Sequence, residues 1–194
     1  MKAILISIKP KHVANILSRK KTIELRKTFP KCDLPIDVYI YCTKEDSLCC
    51  VDQDIYMPKY VSGKDFDIKD FPRLHSGYEG KGKVVAKFTL NKIDEHHVLP
   101  TERILPFNWN VEQKLEQLCL TKEEVMAYGN GEDYQAFLWH ISNLMIFDKP
   151  RELSEFKQPR DSYGKVNWNA NEYYYMELTK APQSWMYVED RECD

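Results

Sequence analysis

Glycine is scarce in this chain, with seven among 194 residues, and none falls into a phosphate-cradling pattern. There is no GxGxxG and no GxxxxGK(S/T), which removes dinucleotide-binding and P-loop readings. HExxH and GxSxG are missing too, and with them the zincin and nucleophile-elbow hydrolase readings. Long apolar runs are also lacking. The N-terminal stretch AILISI is followed at once by Lys9 and Lys11. It is too short for a signal-peptide core or a membrane span, so a cytoplasmic protein is the expectation. The six cysteines, at 32, 42, 49, 50, 119 and 193, include no CxxC pair. Thiols in a reducing compartment fit better than a zinc site or a disulfide framework. His96 and His97 are adjacent, and neighbours on a strand point to opposite faces. No metal and no cofactor is expected.

What remains is an ordinary globular composition, 43% hydrophobic and 30% charged, at a length that suits one domain. The net charge of -2 is unevenly spread. Residues 1–31 carry nine Lys/Arg against Glu24 alone, or +8, which leaves -10 for the other 163 residues. Such asymmetry points to an anion-binding face.

Residues 4–8 read as a strand. Pro10 suits a first helical turn, and Val13, Ile16 and Leu17 recur at helical spacing, so a short helix over about 10–19 follows. TIELR returns to period 2, with Ile23 and Leu25 on one face and Thr22, Glu24 and Arg26 on the other. Residues 37–43 form another strand, Val38, Ile40 and Cys42 opposing Tyr39 and Tyr41. Residues 83–93, 140–147 and 172–179 carry further strand patterns. Residues 101–138 have helical character, with a Thr121/Glu124 capping box and a stop at Gly129. Irregular composition marks 45–80 as an insertion, and 100–136 as a helical one.

A strand with S-I-K-P, a short helix, and then K-K-T-I-E-L-R resemble the ASCH domain, a branch of the PUA-like superfamily. Its motif is approximately G-x-K-x-x-E-x-R, with Arg19 at the glycine position and Lys21, Glu24 and Arg26 at the others. VYIYCTK (38–44), GKVVAKFTLNKI (82–93), LWHISNLMIFDKP (138–150) and APQSWMYVED (181–190) are similar to the same family. The resemblance implies an α+β fold: a PUA-like small β-barrel with short flanking helices and a helical insertion. It also implies a cleft beside the first helix and an association with RNA or modified nucleotides. One branch of the family is an amidohydrolase on acetylated cytidine, with a lysine and a threonine as its catalytic pair. Lys21 matches the lysine, but Glu24 stands where that threonine does, and a carboxylate there gives a different mechanism.

Three readings of SRKKTIELRK follow. In the plainest, Glu24 and Arg26 pair on a wet strand face and contribute at most about 1 kcal/mol. In the binding reading, Lys21 and Arg26 contact phosphate and Glu24 accepts from an exocyclic amine or a ribose hydroxyl. Lys9, Lys11 and Lys20 extend the surface, and Tyr39 and Tyr41 offer stacking rings. Trp139, His140, Trp168 and Tyr173–Tyr175 are further stacking candidates, with Trp185 assigned to packing. In the catalytic reading, Lys21 and Glu24 form an acid–base pair of a hydrolase acting on RNA or an acylated nucleoside. A protein-interaction module with an acidic partner is the alternative from another class. Binding of RNA, including single strands, or of a modified nucleoside is the reading the sequence favours, without a membrane partner.

Overall fold

The computed structural model describes residues 2–44, 50–52, 57–58, 78–98, 111–169 and 173–190. Strand β1 (Lys2–Ile8) is buried from Ala3 onward and lies at the middle of the molecule. Pro10 then opens helix α1 (Pro10–Leu17), where its missing N–H costs nothing. Val13, Ile16 and Leu17 turn the helix's apolar stripe onto the sheet. Arg19 follows with φ 62°, the left-handed region that favours glycine. Arg19 therefore keeps the backbone shape that a glycine adopts. That turn leads the chain back into β2 (Ile23–Arg26).

Strand β3 (Ile36–Cys42) runs parallel to β1. The short strands β4 (Cys50–Asp52), β5 (Met57–Pro58) and β6 (Tyr78–Glu79) form a sheet of their own. Strand β7 (Val84–Val98) pairs with β3, helices α2 (Val111–Leu118) and α3 (Lys122–Tyr128) follow, and β8 (Tyr134–Arg151) returns along β7. Strands β9 (Lys157–Arg160) and β10 (Tyr174–Glu177) make a ribbon, and β11 (Trp185–Glu189) pairs antiparallel with β1. Among the described residues the main sheet has the order β11-β1-β3-β7-β8-β2. No helix among them is long and apolar enough to cross a membrane.

The fold is α+β, as expected, but the closed barrel needs correction: the sheet's end strands, β11 and β2, share no ladder. Side chains span the gap instead. Arg26 reaches Ser184 Oγ at 3.3 Å, and Trp185 Nε1 donates to Thr28 Oγ1 at 2.9 Å. Strand β2 is four residues long and gives the far edge little backbone to pair with.

A second correction concerns Tyr39 and Tyr41. Both were expected on an exposed face, yet they are buried with Leu5, Phe147, Phe156 and Leu178. Central strand β3 is covered on both sides, and the ring of Tyr39 lies 4.9 Å from that of Phe156. Trp139, another stacking candidate, is fully buried in the core below α1. The helical region also ends earlier than expected, since β8 already starts at Tyr134. Alternation there was hidden because Leu138, Trp139 and Phe137 are buried together, on both faces of the strand. The expected insertion at 45–80 lies largely outside the described residues.

Gly129 closes α3 for a steric reason. Its φ of -79° suits any residue, but an added Cβ would clash with the Tyr134 ring and lie 2.7 Å from Glu132 O.

Arg19 supplies a test of the α1–β2 turn. Replacing an exposed left-handed residue by glycine relieves about 1 kcal/mol of steric cost, less the entropy glycine adds to the unfolded chain. Arg19→Gly is expected to raise stability by up to about 1 kcal/mol in urea unfolding; a destabilised variant would show that the arginine side chain outweighs its backbone cost.

Candidate functional site

The turn after α1 and the first residues of β2 put three ionisable side chains inside the protein. Ile23 and Leu25 take one face of β2 into the core under α2 and α3. Glu24 and Arg26 take the other, and Lys21 joins them from the turn, held by its N–H on Asn15 O at 2.9 Å. All three are nearly sealed from solvent: Lys21 is 2% exposed, Glu24 6% and Arg26 7%. Arg26 Nη2 lies 2.9 Å from Glu24 Oε1, and Lys21 Nζ lies 3.3 Å from Oε2. The reading of a solvent-facing Glu24–Arg26 pair does not describe this geometry.

Both cations also bind the scaffold. Lys21 Nζ donates to Leu118 O at the end of α2, at 2.7 Å. Arg26 Nη2 donates to Ser7 O at 2.8 Å, so β2 is tied to β1 across the sheet's open seam. Burial alone would raise the pKa of Glu24. The charges of Lys21 and Arg26 outweigh it and hold the carboxyl below its ordinary value.

These side chains form one wall of a cavity of about 470 Å³. Ser7, Ile8 and Lys9 line it from β1 and its end, His12 from α1, Thr43 from the end of β3 and Gln183 from the segment before β11. Leu120, Glu124, Ala127 and Tyr128 close it from α3 and the turn before it. Helix α3 is fixed by its Thr121–Glu124 capping box and by the 2.7 Å ion pair of Glu124 with Lys11 on α1. The Tyr134 hydroxyl donates to Val125 O at 2.7 Å from below. Burial, with Lys21 adding to it, pushes the His12 imidazole down to about 4. His12 is therefore neutral at physiological pH.

Among the residues lining the cavity, three buried polar atoms have no hydrogen-bond partner, His12 Nδ1, Arg26 Nε and Thr43 Oγ1, and Glu24 Oε2 has only its ion pair with Lys21. Such atoms are uncommon in proteins, and their gathering in residues around one cavity makes a concentrated set of donors and acceptors.

Of the residues expected at the site, Lys21, Glu24 and Arg26 come together, and Lys9 joins them as an exposed residue of the cavity wall. Lys11 stands behind the wall, in its ion pair with Glu124, and Lys20 is exposed outside it. Tyr39 and Tyr41 do not line the cavity, and neither do Trp139, His140, Trp168 or Tyr173–Tyr175. His140 instead meets Asp94 at 2.7 Å, while Trp185 packs against Trp139 with ring centroids 5.8 Å apart. His12, Thr43, Glu124, Tyr128 and Gln183 were not foreseen. Thr43 stands inside VYIYCTK and His12 on the helix beside the motif, so both carried a positional signal; the α3 residues carried none. Among the described residues no cluster of three or more His, Cys, Asp or Glu is arranged to hold a metal.

The whole defines an α+β protein with a partly enclosed cavity between the sheet, α1 and α3. Solved structures that it is similar to include an ASCH protein and its variants. The crystal structure of ASCH from Zymomonas mobilis is 16% identical, covers 96% of this chain and 87% of that chain, and has a TM-score of 0.46. A point variant of the same Zymomonas mobilis protein is 15% identical, covers 96% and 88%, and has a TM-score of 0.49. At these values the likeness says nothing of activity. No protein-family model matches the sequence, and no curated protein matches it.

The pH dependence of stability tests this arrangement. The unfolded His12 takes up a proton near 6.5 and the folded one only near 4, so the unfolded state binds more protons in that window. Stability falls as pH drops through it, by about 2 kcal/mol between about pH 7 and 5. Glu24 acts in the same direction at lower pH: its contribution is present above about 4.5 and is lost as pH falls through the depressed folded value. His12→Gln is expected to flatten the pH 7 to 5 slope in urea unfolding; an unchanged slope would place His12 outside the buried environment described.

Proposed function

We propose that this chain binds RNA or a modified nucleoside in the cavity around Lys21, Glu24 and Arg26. The observation that carries the reading is the cavity itself, about 470 Å³, with three unpartnered polar atoms and a buried carboxylate among its lining residues. That volume falls within the roughly 300–1,000 Å³ of small-molecule sites, and a single base with its sugar is of that scale. The chemistry matches as well. Glu24 Oε2 accepts from an exocyclic amine or ring N–H, Arg26 Nε donates to a carbonyl, and Thr43 and His12 serve either role. One carboxylate between two cations leaves a net charge of +1, and Lys9 adds to it at the wall. The site thus attracts an anion while selecting for a donor-bearing edge. An enclosed site of this kind suits a free nucleoside or an extruded base better than a duplex groove.

His12 gives the hydrolase reading its support. A neutral imidazole shares the cavity wall with the Thr43 hydroxyl, Lys21 and Glu24, which is the equipment of acid–base or acyl-transfer chemistry. Turnover of acylated cytidines or RNA, abolished in Lys21→Ala and Glu24→Gln, would establish it; no turnover across a broad panel would leave binding alone.

Binding is tested by fluorescence anisotropy with single-stranded RNA and by calorimetry with free nucleosides. Lys9→Ala/Lys20→Ala is expected to lower the logarithmic salt slope for RNA by about 1.4, at roughly 0.7 per phosphate contact. Thr43→Val, which keeps shape and loses the hydroxyl, is expected to weaken nucleoside binding by roughly five- to tenfold, the value of one hydrogen bond. Wild-type protein that binds neither class of ligand would end the proposal.

A further inference from the structure

The cavity lining is of two unlike kinds. One is the ionic Lys21–Glu24–Arg26 cluster, and the other is Leu120, Ala127 and Tyr128, from α3 and the turn before it. Tyr128 is the one Phe, Tyr or Trp side chain that lines the cavity among the described residues. It is 39% exposed, in contrast to the sealed ionic cluster.

The neighbours of this ring hold it in place. Tyr134 meets it edge-on, at 6.0 Å between centroids and 64° between planes. Lys27 Nζ stands 5.3 Å from its centroid. Tyr134 is anchored through its own hydroxyl to Val125 O, and Gly129 lets the chain turn against the Tyr134 ring directly after Tyr128. Arg26 and Glu24 both act electrostatically on the Tyr128 hydroxyl, so the ring stands near the ionic cluster as well as in the cavity lining. A rigid aromatic with few rotatable bonds, fixed before any ligand arrives, is a low-entropy contact surface.

We infer that Tyr128 is the stacking wall for the ligand's base, and that α3 is the element that positions it. The inference rests on the nucleoside reading above and assigns to it a residue outside the K-x-x-E-x-R motif. The ionic cluster then reads the edge of the base and the tyrosine its π face. These two contacts lie at right angles on a planar group, and an aliphatic ligand would satisfy only one of them. Any base can stack, so the tyrosine contributes affinity, and choice among bases falls to Glu24, Arg26 and Thr43.

Calorimetric titration of the whole chain with AMP, CMP, GMP, UMP and ribose 5-phosphate tests this. Wild-type protein is expected to prefer at least one nucleotide over ribose 5-phosphate. Tyr128→Ala and Tyr128→Leu are expected to weaken that nucleotide by roughly 5- to 150-fold, the range of one base–aromatic stack, and to leave ribose 5-phosphate as it was. Tyr128→Phe restores nucleotide affinity to within about threefold, because the ring and not the hydroxyl does the stacking. Tyr128→Leu keeps apolar bulk on α3 and serves if the alanine variant is unstable. Nucleotide binding unaltered in Tyr128→Leu overturns the inference and leaves the cavity reading standing. Wild-type protein with no preference for any nucleotide over ribose 5-phosphate overturns both.

Discussion

A carboxylate buried between two cations is the constraint on which the rest of this structure turns. Taking Glu24, Lys21 and Arg26 out of water is costly, and mutual attraction offsets that cost only if all three stay in register. Losing one partner of such a cluster costs about 3–5 kcal/mol, because the others are left charged and dry. The cluster is therefore a rigid fixture. Through Lys21 it holds the end of α2, and through Arg26 it holds the end of β1 and the segment before β11. It also explains how an open sheet can curl without closing: the guanidinium stands where a backbone ladder would otherwise run.

The same fixture shapes the cavity. Polar groups that hold a fold together are normally saturated by it, yet Glu24 Oε2 and Arg26 Nε have hydrogen-bonding capacity to spare, as do His12 and Thr43 nearby. A purely structural cluster has no need of a cavity beside it. Helix α3 and the turn before it make this edge of the sheet a partly enclosed site, and the Lys11–Glu124 ion pair fastens α3 to α1. Being about one-third exposed on each side, that pair contributes little stability, and its effect is positional.

Alternation along TIELR separated Ile23 and Leu25 from Glu24 and Arg26 correctly, because β2 has core on one face and a cavity on the other. The same argument failed at Tyr39 and Tyr41. A period of 2 separates two faces but does not say that either is wet, and β3 is covered on both. Charge counting met a similar limit. The excess of +8 over residues 1–31 is real, but Glu24 lies between Lys21 and Arg26, and Glu124, a hundred residues on in sequence, takes Lys11. The basic surface left is much narrower than the count suggests.

Patterning and spacing were enough to trace β1, α1, β2 and β3 and to put Glu24 and Arg26 on one face of β2, while the α+β class and the place of Lys21 beside them came with the family resemblance. The former depend on residues close in the chain, whose relative placement follows from strand and helix geometry. Neighbouring Lys20 and Lys21 show where local information stops: one is exposed and the other is 2% exposed, because the carbonyl of Leu118 arrives from 97 residues away to meet the second. The open seam, the buried tyrosines and the Tyr128 wall are of the same kind. Each is fixed by which distant surface covers a residue, and burial is a property of the packed whole.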